Sequence, residues 1–372
     1  MIESSTTLDT AAATSDPSFQ YCLPSSSPLQ SEIYKELREL VRRAGCFERD
    51  YGYYAGLVLL NWTMLALGLL ALPWARDHGI YLLDAVFLAF VSGQFGYLGH
   101  DGAHLEVFSE WKHNYIFCLI HGNLLLGFST GWWTRKHNLH HSNPNVIAMD
   151  GEVEIAGLAF TDEIALNRRG FMRTAAKYQA YTFFPLLSLT IIALWIESTQ
   201  FLLQNRSRRT LVEAILLIVH FILYGWLVLS ILGFAHGAVF ILVHQVLFGL
   251  YMGLVFAPNH KGMPMLDGAT EIDFLHKQVI TARNIFPGFL ADYLYGGLNY
   301  QIEHHLFPRM PRPHLRKARE IVMAFCRRHS IPYAQTGILQ SYWEILKYLD
   351  GVGSAVRKAD RLARKNRYLS TQ

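Results

Sequence analysis

The sequence contains little charge for its length: Asp, Glu, Lys and Arg make up 17% of its 372 residues, while 51% are hydrophobic. This composition is too apolar for an ordinary soluble enzyme. The net charge is only +4, so nothing in the charge indicates a nucleic-acid partner and we expect none. The cysteines are scattered and form no Cys-x-x-Cys pair, which argues against a disulfide framework and against a thiolate metal site. They are Cys22, Cys46, Cys118 and Cys326.

The amino-terminal residues lack the basic start and apolar core of a signal peptide. Residues 1–30 are rich in Ser, Thr, Ala and Pro, and we predict a disordered tail there. A membrane domain is expected over residues 31–320, beginning with a short surface helix. Residues 321–372 are polar and basic and are expected to form a cytoplasmic segment.

Four segments carry about the roughly 20 apolar residues that a helix needs to cross a bilayer. They are residues 54–74, 80–98, 211–232 and 239–257. Each is apolar on all sides, whereas a helix of a soluble domain keeps one polar face. The sequence therefore predicts an all-α integral membrane protein with four transmembrane helices.

Two further apolar segments, 115–128 and 178–203, are ambiguous. Basic residues lie before the first span, which places the amino terminus in the cytoplasm. If four spans cross, both termini and every histidine cluster share that side. The two ambiguous segments are then interfacial or re-entrant helices, and Pro185 permits a break in the second.

Histidines occur in three clusters, each next to an apolar segment. Residues three and four apart share one face of a helix, so the imidazoles of each cluster can point into one space. Imidazole suits Fe, Zn, Cu and Ni, and the clusters hold more ligands than one ion can use. The sequence thus predicts a cytoplasmic di-metal domain. The clustered residues are His100 and His104, then His137, His140 and His141, then His304 and His305.

These motifs resemble those of the membrane-bound fatty acid desaturases over about residues 54–315. The three boxes read His-Asp-Gly-Ala-His, His-Asn-Leu-His-His and Gln-Ile-Glu-His-His. Gln at the start of the third box is typical of the front-end branch, which inserts a cis double bond between an existing one and the carboxyl end. The resemblance implies two irons, O2 as co-substrate, two electrons per turnover and a long-chain acyl-CoA or acyl-lipid substrate.

The sequence departs from that pattern in two places. The first box reads Asp-Gly-Ala where Asp-x-Gly is commoner, and no His-Pro-Gly-Gly haem motif is present. Many front-end relatives carry that motif in a fused cytochrome b5 domain, for which the tail ahead of the first span is too short. We therefore expect a separate electron donor, a ferredoxin or a cytochrome b5 with its reductase.

The resemblance also suggests roles for residues near the boxes. His260 follows the last span, where desaturases place a further ligand. Gln301 and Asn259 are candidates for binding a metal through water. Acidic residues can hold the outer ring nitrogens of ligand histidines, with plain loop solvation as the alternative. The candidates are Asp101, Asp150, Glu152 and Glu303.

Other residues are candidates for holding the substrate. Trp132, Trp133 and Tyr300 are close enough in sequence to line the metal end of an acyl tunnel, although core packing is an equal alternative. Four basic residues could hold a CoA phosphate or lipid head group, or could be ordinary positive-inside charges: Arg135, Lys136, Arg283 and Arg309. His220 and His244 lie inside spans and are interpreted as hydrogen-bonded structural groups.

Two other classes of function share some of these features. A lipid hydroxylase or ketolase of the same histidine-box superfamily would use the same metals and leave oxygen in the product. A metal-binding membrane transporter or sensor would need polar groups along a path at mid-membrane. The boxes gather at one face, which argues against transport.

Overall fold

The structure, a computed structural model, describes residues 32–370 except 154, 156 and 269. The disordered tail predicted over residues 1–30 lies outside the described residues. The described chain is mainly helical, with the following α-helices: α1 Glu32–Arg43, α2 Tyr51–Asp77, α3 Tyr81–Ala103, α4 Trp111–Cys118, α5 Thr130–Ser142, α6 Asp162–Asn167, α7 Gly170–Lys177, α8 Gln179–Leu187, α9 Thr190–Gln204, α10 Arg208–His260, α11 Phe274–Ile280, α12 Phe289–Leu294, α13 Gln301–Leu306, α14 Leu315–Arg328 and α15 Ile338–Ser370.

Shorter elements connect these helices. A π-helix, Leu119–Leu124, continues α4, and 3₁₀ turns occupy Gly151–Val153 and Arg312–His314. Strands β1 (Asn284–Ile285) and β2 (Gln335–Thr336) form one parallel pair. This pair ties the segment after α11 to the segment before α15.

Three of the described helices, α2, α3 and α10, are long and apolar enough to cross a membrane. Helix α10 contains 53 residues, about 80 Å at about 1.5 Å per residue, against about 30 Å of bilayer core. Its backbone is interrupted at Gly233, with φ 73° and ψ 171°. That conformation is open essentially to glycine alone. The predicted spans 211–232 and 239–257 therefore lie in two halves of α10 that meet at Gly233.

The two ambiguous segments differ in structure. Segment 115–128 falls on α4 and the π-helix, which pack against α3 and α10. Segment 178–203 forms α8 and α9, which are bent by 68° as in a broken span or a re-entrant loop. Pro185 lies inside α8, and the bend follows at Ser188 and Leu189. The proline cannot donate a helical hydrogen bond of its own, and α8 ends two residues after it.

The amino- and carboxyl-terminal parts of the described chain share one core. Tyr34, Leu37 and Val41 of α1 pack in the same cluster as Val322 and Phe325 of α14. Helix α14 buries these apolar side chains, and its basic residues face outward. Because the helix contains many basic residues, composition alone predicted a polar segment here. The domain boundary expected at residue 320 falls inside this helix.

The end of the fold that carries the histidine clusters depends on a close approach of α3 and α10. A Cβ at Gly93 would lie 2.2 Å from the ring of Tyr251, so only glycine fits between the two helices. This contact brings the last turn of α3 beside the last turn of α10. Helices α5 and α13 complete the same end of the molecule, where the histidines meet.

Candidate metal centre

All eight histidines singled out in the sequence lie together at the ends of four helices. His100 and His260 belong to the last turns of α3 and α10, and His104 directly follows α3. The others are on α5 (His137, His140 and His141) and α13 (His304 and His305). The helical spacing of each pair puts its rings on one face. The tertiary fold then turns these faces toward one another.

The first group consists of His100, His104, His137 and His304, with ligand nitrogens all within 4.8 Å of one another. Nε2 of His100 lies 3.1 Å from Nε2 of His137. A metal–imidazole bond is about 2.0–2.1 Å long, so two nitrogens bound at about 90–110° to one another lie about 2.8–3.4 Å apart. The observed separation therefore fits two ligands of one ion.

The second group consists of His140, His260 and His305, again with ligand nitrogens within 4.8 Å of one another. Nε2 of His140 lies 3.2 Å from Nε2 of His260. The side chain of Gln301 lies beside them, with its Nε2 3.0 Å from Nε2 of His260. Its Oε1 accepts a hydrogen bond of 2.8 Å from Asn259. Gln301 and Asn259 thus border the second group as a hydrogen-bonded pair.

His141 lies between the two groups. Its Nε2 is 3.1 Å from Nε2 of His137, which belongs to the first group. Its ring centroid is 4.7 Å from that of His304 and 4.2 Å from that of His305. The two groups therefore adjoin, as a pair of neighbouring metals requires.

The buried nitrogens of this cluster fit metal ions. Nε2 of His304 and Nε2 of His305 are buried and have no hydrogen-bond partner among the described residues. Leaving such a group unpaired is unfavourable, and a metal ion would satisfy it. Burial, followed by repulsion from His140, lowers the pKa of His304 to about 3. Imidazole must be neutral to bind a metal, so the environment favours the form that binds.

Outer hydrogen bonds orient three of the rings. His140 Nδ1 donates to Asp150 over 2.9 Å, and His260 Nδ1 donates to the carbonyl of Thr281 over 2.9 Å. His305 Nδ1 donates to Oε1 of Gln278 over 2.9 Å. With the proton on Nδ1, the Nε2 lone pair faces the centre of the group. Burial raises the pKa of Asp150, but the attraction of His140 and its hydrogen bond outweigh burial and hold that pKa low.

The four acidic candidates divide in their contacts. Asp150 contacts a ring directly, and an oxygen of Asp101 lies 3.5 Å from Nδ1 of His100. Glu152 instead lies 3.7 Å from Lys136. Glu303 accepts hydrogen bonds from Asn284 and Tyr333, and burial raises its pKa to about 7. Glu303 therefore fixes the position of α13 through Asn284 and Tyr333 and does not orient a histidine ring.

Sequence reasoning missed Gln278 and Glu213. Gln278 accepts a hydrogen bond from His305. It also donates from its Nε2 to the carbonyl of His141 on α5, over 2.8 Å. The buried carboxylate of Glu213 accepts 2.6 Å and 3.0 Å hydrogen bonds from Ser129 Oγ and the Gly131 N–H. A carboxylate at the N-terminus of α5 stabilises the helix that holds the second box. Both residues are far from the boxes in sequence, so spacing carried no signal for them.

An apolar pocket adjoins the first group. His100 and Trp133 form its metal end, and its walls come from α3, the π-helix and α10. Trp133 lines this pocket, whereas Trp132 lies under Lys136, with the ammonium 5.4 Å from the centroid of its ring. Tyr300 donates to Asp292 over 2.8 Å. Other lining residues include Gly96, Gly99, Gly122, Leu126, Phe128, Phe248, Met252 and Phe256.

The four basic candidates also differ in their surroundings. Arg283 is buried, pairs with Glu344 at 2.7 Å and donates to the carbonyl of Pro258. Lys136 pairs with Glu197 at 2.8 Å. The side chains of Arg283 and Lys136 are therefore already paired within the protein. Arg135 and Arg309 are exposed.

Apolar helices long enough to span a bilayer, a cluster of imidazoles and an adjoining apolar pocket define a membrane protein that can bind a pair of metals beside an apolar ligand. Such a site suits chemistry on a lipid chain. The chain belongs to the fatty acid desaturase family, whose profile matches residues 80–337.

Characterised relatives narrow this assignment. An acyl-lipid (9-3)-desaturase from Physcomitrium patens is 30% identical over 334 residues, 87% of this chain and 63% of that protein. A delta(6)-fatty-acid desaturase from Caenorhabditis elegans is 27% identical over 340 residues, 88% of this chain and 76% of that protein. A delta(8)-fatty-acid desaturase from Euglena gracilis is 29% identical over 351 residues, 90% and 82% of the two chains.

The chain thus spans a little under two thirds of the Physcomitrium protein, at 63%, and 76% and 82% of the other two relatives. The relatives are delta(6), delta(8) and (9-3) desaturases, which confirms the front-end resemblance predicted from the third histidine box.

Proposed function

We propose that this protein is a front-end fatty acid desaturase that inserts a cis double bond into a long acyl chain, carried by CoA or by a lipid. The observation that carries the proposal is the position of His100, which belongs to the first histidine group and also lines the apolar pocket. A methylene group in this pocket would lie next to a metal held by that group.

The proposal includes two irons. His100, His104, His137 and His304 would hold one ion, and His140, His260 and His305 the other, with His141 at the junction. Gln301 and Asn259 would hold water beside the second ion. Iron with O2 and two electrons supplies the oxidant for unactivated methylene groups, which no side-chain acid or base can provide.

The chain's own residues prepare this chemistry in three ways. Burial lowers the pKa of seven of the eight imidazoles and so favours their neutral form. Outer hydrogen bonds from His140, His260 and His305 keep the proton on Nδ1. The apolar lining excludes water from the acyl chain. The ring of Trp133 stacks on that of His137, with 4.9 Å between the ring centroids. It therefore limits how the acyl chain can enter beside the metals.

We further propose four crossings, formed by α2, α3 and the two halves of α10. His100 and His260 end α3 and the second half of α10, and they lie in one cluster, so these two helices end at the same membrane face. Helices α8 and α9 would then enter and leave by that face. Basic residues before α2 support a cytoplasmic position for this face and for both termini.

Electrons would come from a separate donor, a ferredoxin or a cytochrome b5 with its reductase. The printed sequence contains no His-Pro-Gly-Gly haem motif, and the basic cytoplasmic face suits an acidic donor. Turnover should then fall as salt rises. Steady turnover of the purified chain with NADH or NADPH alone would contradict this part of the proposal.

The deciding experiment is lipid profiling of a host that expresses this protein, by mass spectrometry that locates double bonds. We expect a new double bond between an existing one and the carboxyl end. Labelled O2 separates the rival chemistries, because a hydroxylase or ketolase leaves label in the lipid and a desaturase leaves it in water. A metal transporter or sensor would change no lipid, and host lipids without a new double bond or oxygen would reject the enzyme proposal.

A further inference from the structure

The last part of α15, residues 357–370, has two different faces. At helical spacing, Ala359, Leu362 and Leu369 share one side with other uncharged residues. Lys358 and Lys365 border the two leucines, and the opposite side carries Arg357, Arg361, Arg364 and Arg367. Every residue from 361 to 370 is exposed, including Leu362 at 62% and Leu369 at 59% of their surface. We call residues 357–370 the basic arm.

The base of the basic arm is firmly attached to α7. Asp360 forms ion pairs with Arg173, at 2.8 Å, and with Lys177. A Cβ at Gly353 would lie 2.7 Å from the carbonyl oxygen of Lys177, so the two helices touch through their backbones. The position of α7 therefore decides where the arm leaves the fold.

Helix α7 leads directly into the bent apolar pair α8 and α9. Around this junction Phe171 exposes 79% and Tyr181 77% of its surface. Exposed aromatic rings next to an apolar segment are typical of the membrane–water interface. Farther back on α15, Glu344 pairs with Arg283, which also donates to the carbonyl of Pro258 near His260. The base of the arm therefore adjoins the start of the apolar pair, on a helix whose other end contacts the segment around His260.

We propose that the basic arm lies on the bilayer and binds anionic lipid head groups of the leaflet next to the histidine cluster. Leu362 and Leu369 would enter the head-group region, and the long Lys and Arg side chains at the flanks would reach the phosphates. Two leucines provide little insertion by themselves, so binding needs the positive charge and therefore anionic lipid. An acidic protein would match the charge but leave the leucines in water. The inference does not depend on the desaturase activity.

The test uses the full chain in nanodiscs of phosphatidylcholine alone or with about 30% phosphatidylglycerol. Trypsin cuts after Lys and Arg, so its rate reports how accessible the arm is. We expect cleavage within the arm about tenfold slower in the anionic discs, and this protection should disappear in about 0.5 M salt, where charges are screened. Equal rates in both discs would overturn the proposal.

Two labelled variants test the orientation of the arm. Leu362→Cys and Tyr368→Cys place an environment-sensitive fluorophore on the neutral and on the basic face, and neither removes a charge. The label at 362 should shift to an apolar signal in anionic discs only, while the label at 368 stays in water. A shift at 368 but not at 362 would contradict the proposal, as would protection by an acidic protein with no effect of lipid.

Charge reversal supplies the matched control. R361E combined with K365E should abolish the difference between the two kinds of disc, because both residues are exposed and supply positive charge to the arm. The thermal unfolding midpoint in detergent should stay the same, which shows that the fold is intact. Unchanged lipid-dependent protection in this variant would also overturn the proposal.

Discussion

The guanidinium of Arg312 lies 2.6 Å from the carboxylate of Asp101, and both side chains are buried. Asp101 directly follows His100, so this ion pair joins the last turn of α3 to the segment after the third histidine box. The backbone N–H of Arg312 also donates to Tyr54 on α2, over 3.3 Å. Tyr54 donates in turn to the buried carboxylate of Glu106.

We predict that Arg312→Met destabilises the protein by about 3–5 kcal/mol, because removing one partner leaves a buried charge uncompensated. The unfolding temperature and the iron bound per chain should both fall. Arg312→Lys should lie between this variant and the native chain, since an ammonium keeps the charge but loses the planar fork. The control is Arg316→Met, which removes an exposed partner of Asp292. Equal stability and iron content in the two Met variants would contradict the prediction.

The two histidine groups should lose metal separately. His104→Ala should remove the ion of the first group, and His305→Ala the ion of the second. Each variant should retain about one iron per chain and less than about 1% of the activity, since loss of even an outer partner costs 10–100-fold. Membrane insertion should be normal because the spans do not depend on these rings. His78→Ala in an exposed loop is the control, and two irons in either ligand variant would reject this assignment.

Asp150 and Glu152 form a matched pair for testing the outer hydrogen bonds. Asp150→Asn keeps the shape but loses the charge that orients His140, so we predict a fall of about 10–100-fold in metal affinity or activity. Glu152→Gln should have a much smaller effect, since that carboxylate faces Lys136 at 3.7 Å. Iron titration of both purified variants measures the difference. An equal change of iron affinity in the two variants would show that the contact of Asp150 with His140 is unimportant.

Gly96 lines the pocket, and a Cβ there would lie 3.6 Å from Met252, an ordinary contact. Gly96→Ala should therefore fold normally, narrow the pocket and shift the products toward shorter acyl chains. Gly93→Ala, one turn away, would meet Tyr251 and should destabilise the protein by about 1–3 kcal/mol through overpacking. Gly56→Ala has no atom within 4 Å and serves as the control. An unchanged product spectrum in the Gly96 variant would show that the width of the pocket does not limit which acyl chains are accepted.

The position of the new double bond should be counted from the carboxyl end. One methylene in an apolar pocket is worth only about 1–3 kcal/mol, so a pocket cannot sharply count carbons. A charged head group held by a polar anchor is a stronger reference, and the exposed Arg135 and Arg309 are candidates. Feeding unsaturated chains that differ by two carbons at the methyl end tests this. A bond that keeps its distance from the methyl end would contradict the anchor.

Helical spacing alone was enough to predict which histidine rings share a helix face. His137, His140 and His141 are three and four residues apart, and this period places their rings on one face whatever surrounds the helix. Likewise, segments without a polar face predicted the helices that are suited to a membrane. These features are local, so they can be read from neighbouring residues.

Partners distant in the chain could not be predicted in this way. Gln278 contacts His305 and the carbonyl of His141, yet nothing in its own neighbourhood marks it. Trp132 and Trp133 looked equivalent in sequence, but neighbours on a helix point about 100° apart, and only Trp133 lines the pocket. Which of the two faces the metals depends on how α5 docks.

The sequence by itself determined the kinds of ligands, their helical spacing and the apolar segments, because each depends on residues a few positions apart. Only the tertiary structure decided how the eight histidines divide into two groups, where the bend between α8 and α9 falls, and which charges are buried as pairs. These features depend on packing between distant helices, above all the glycine contact of α3 with α10. That packing places His100 and His260 at the same end of the molecule.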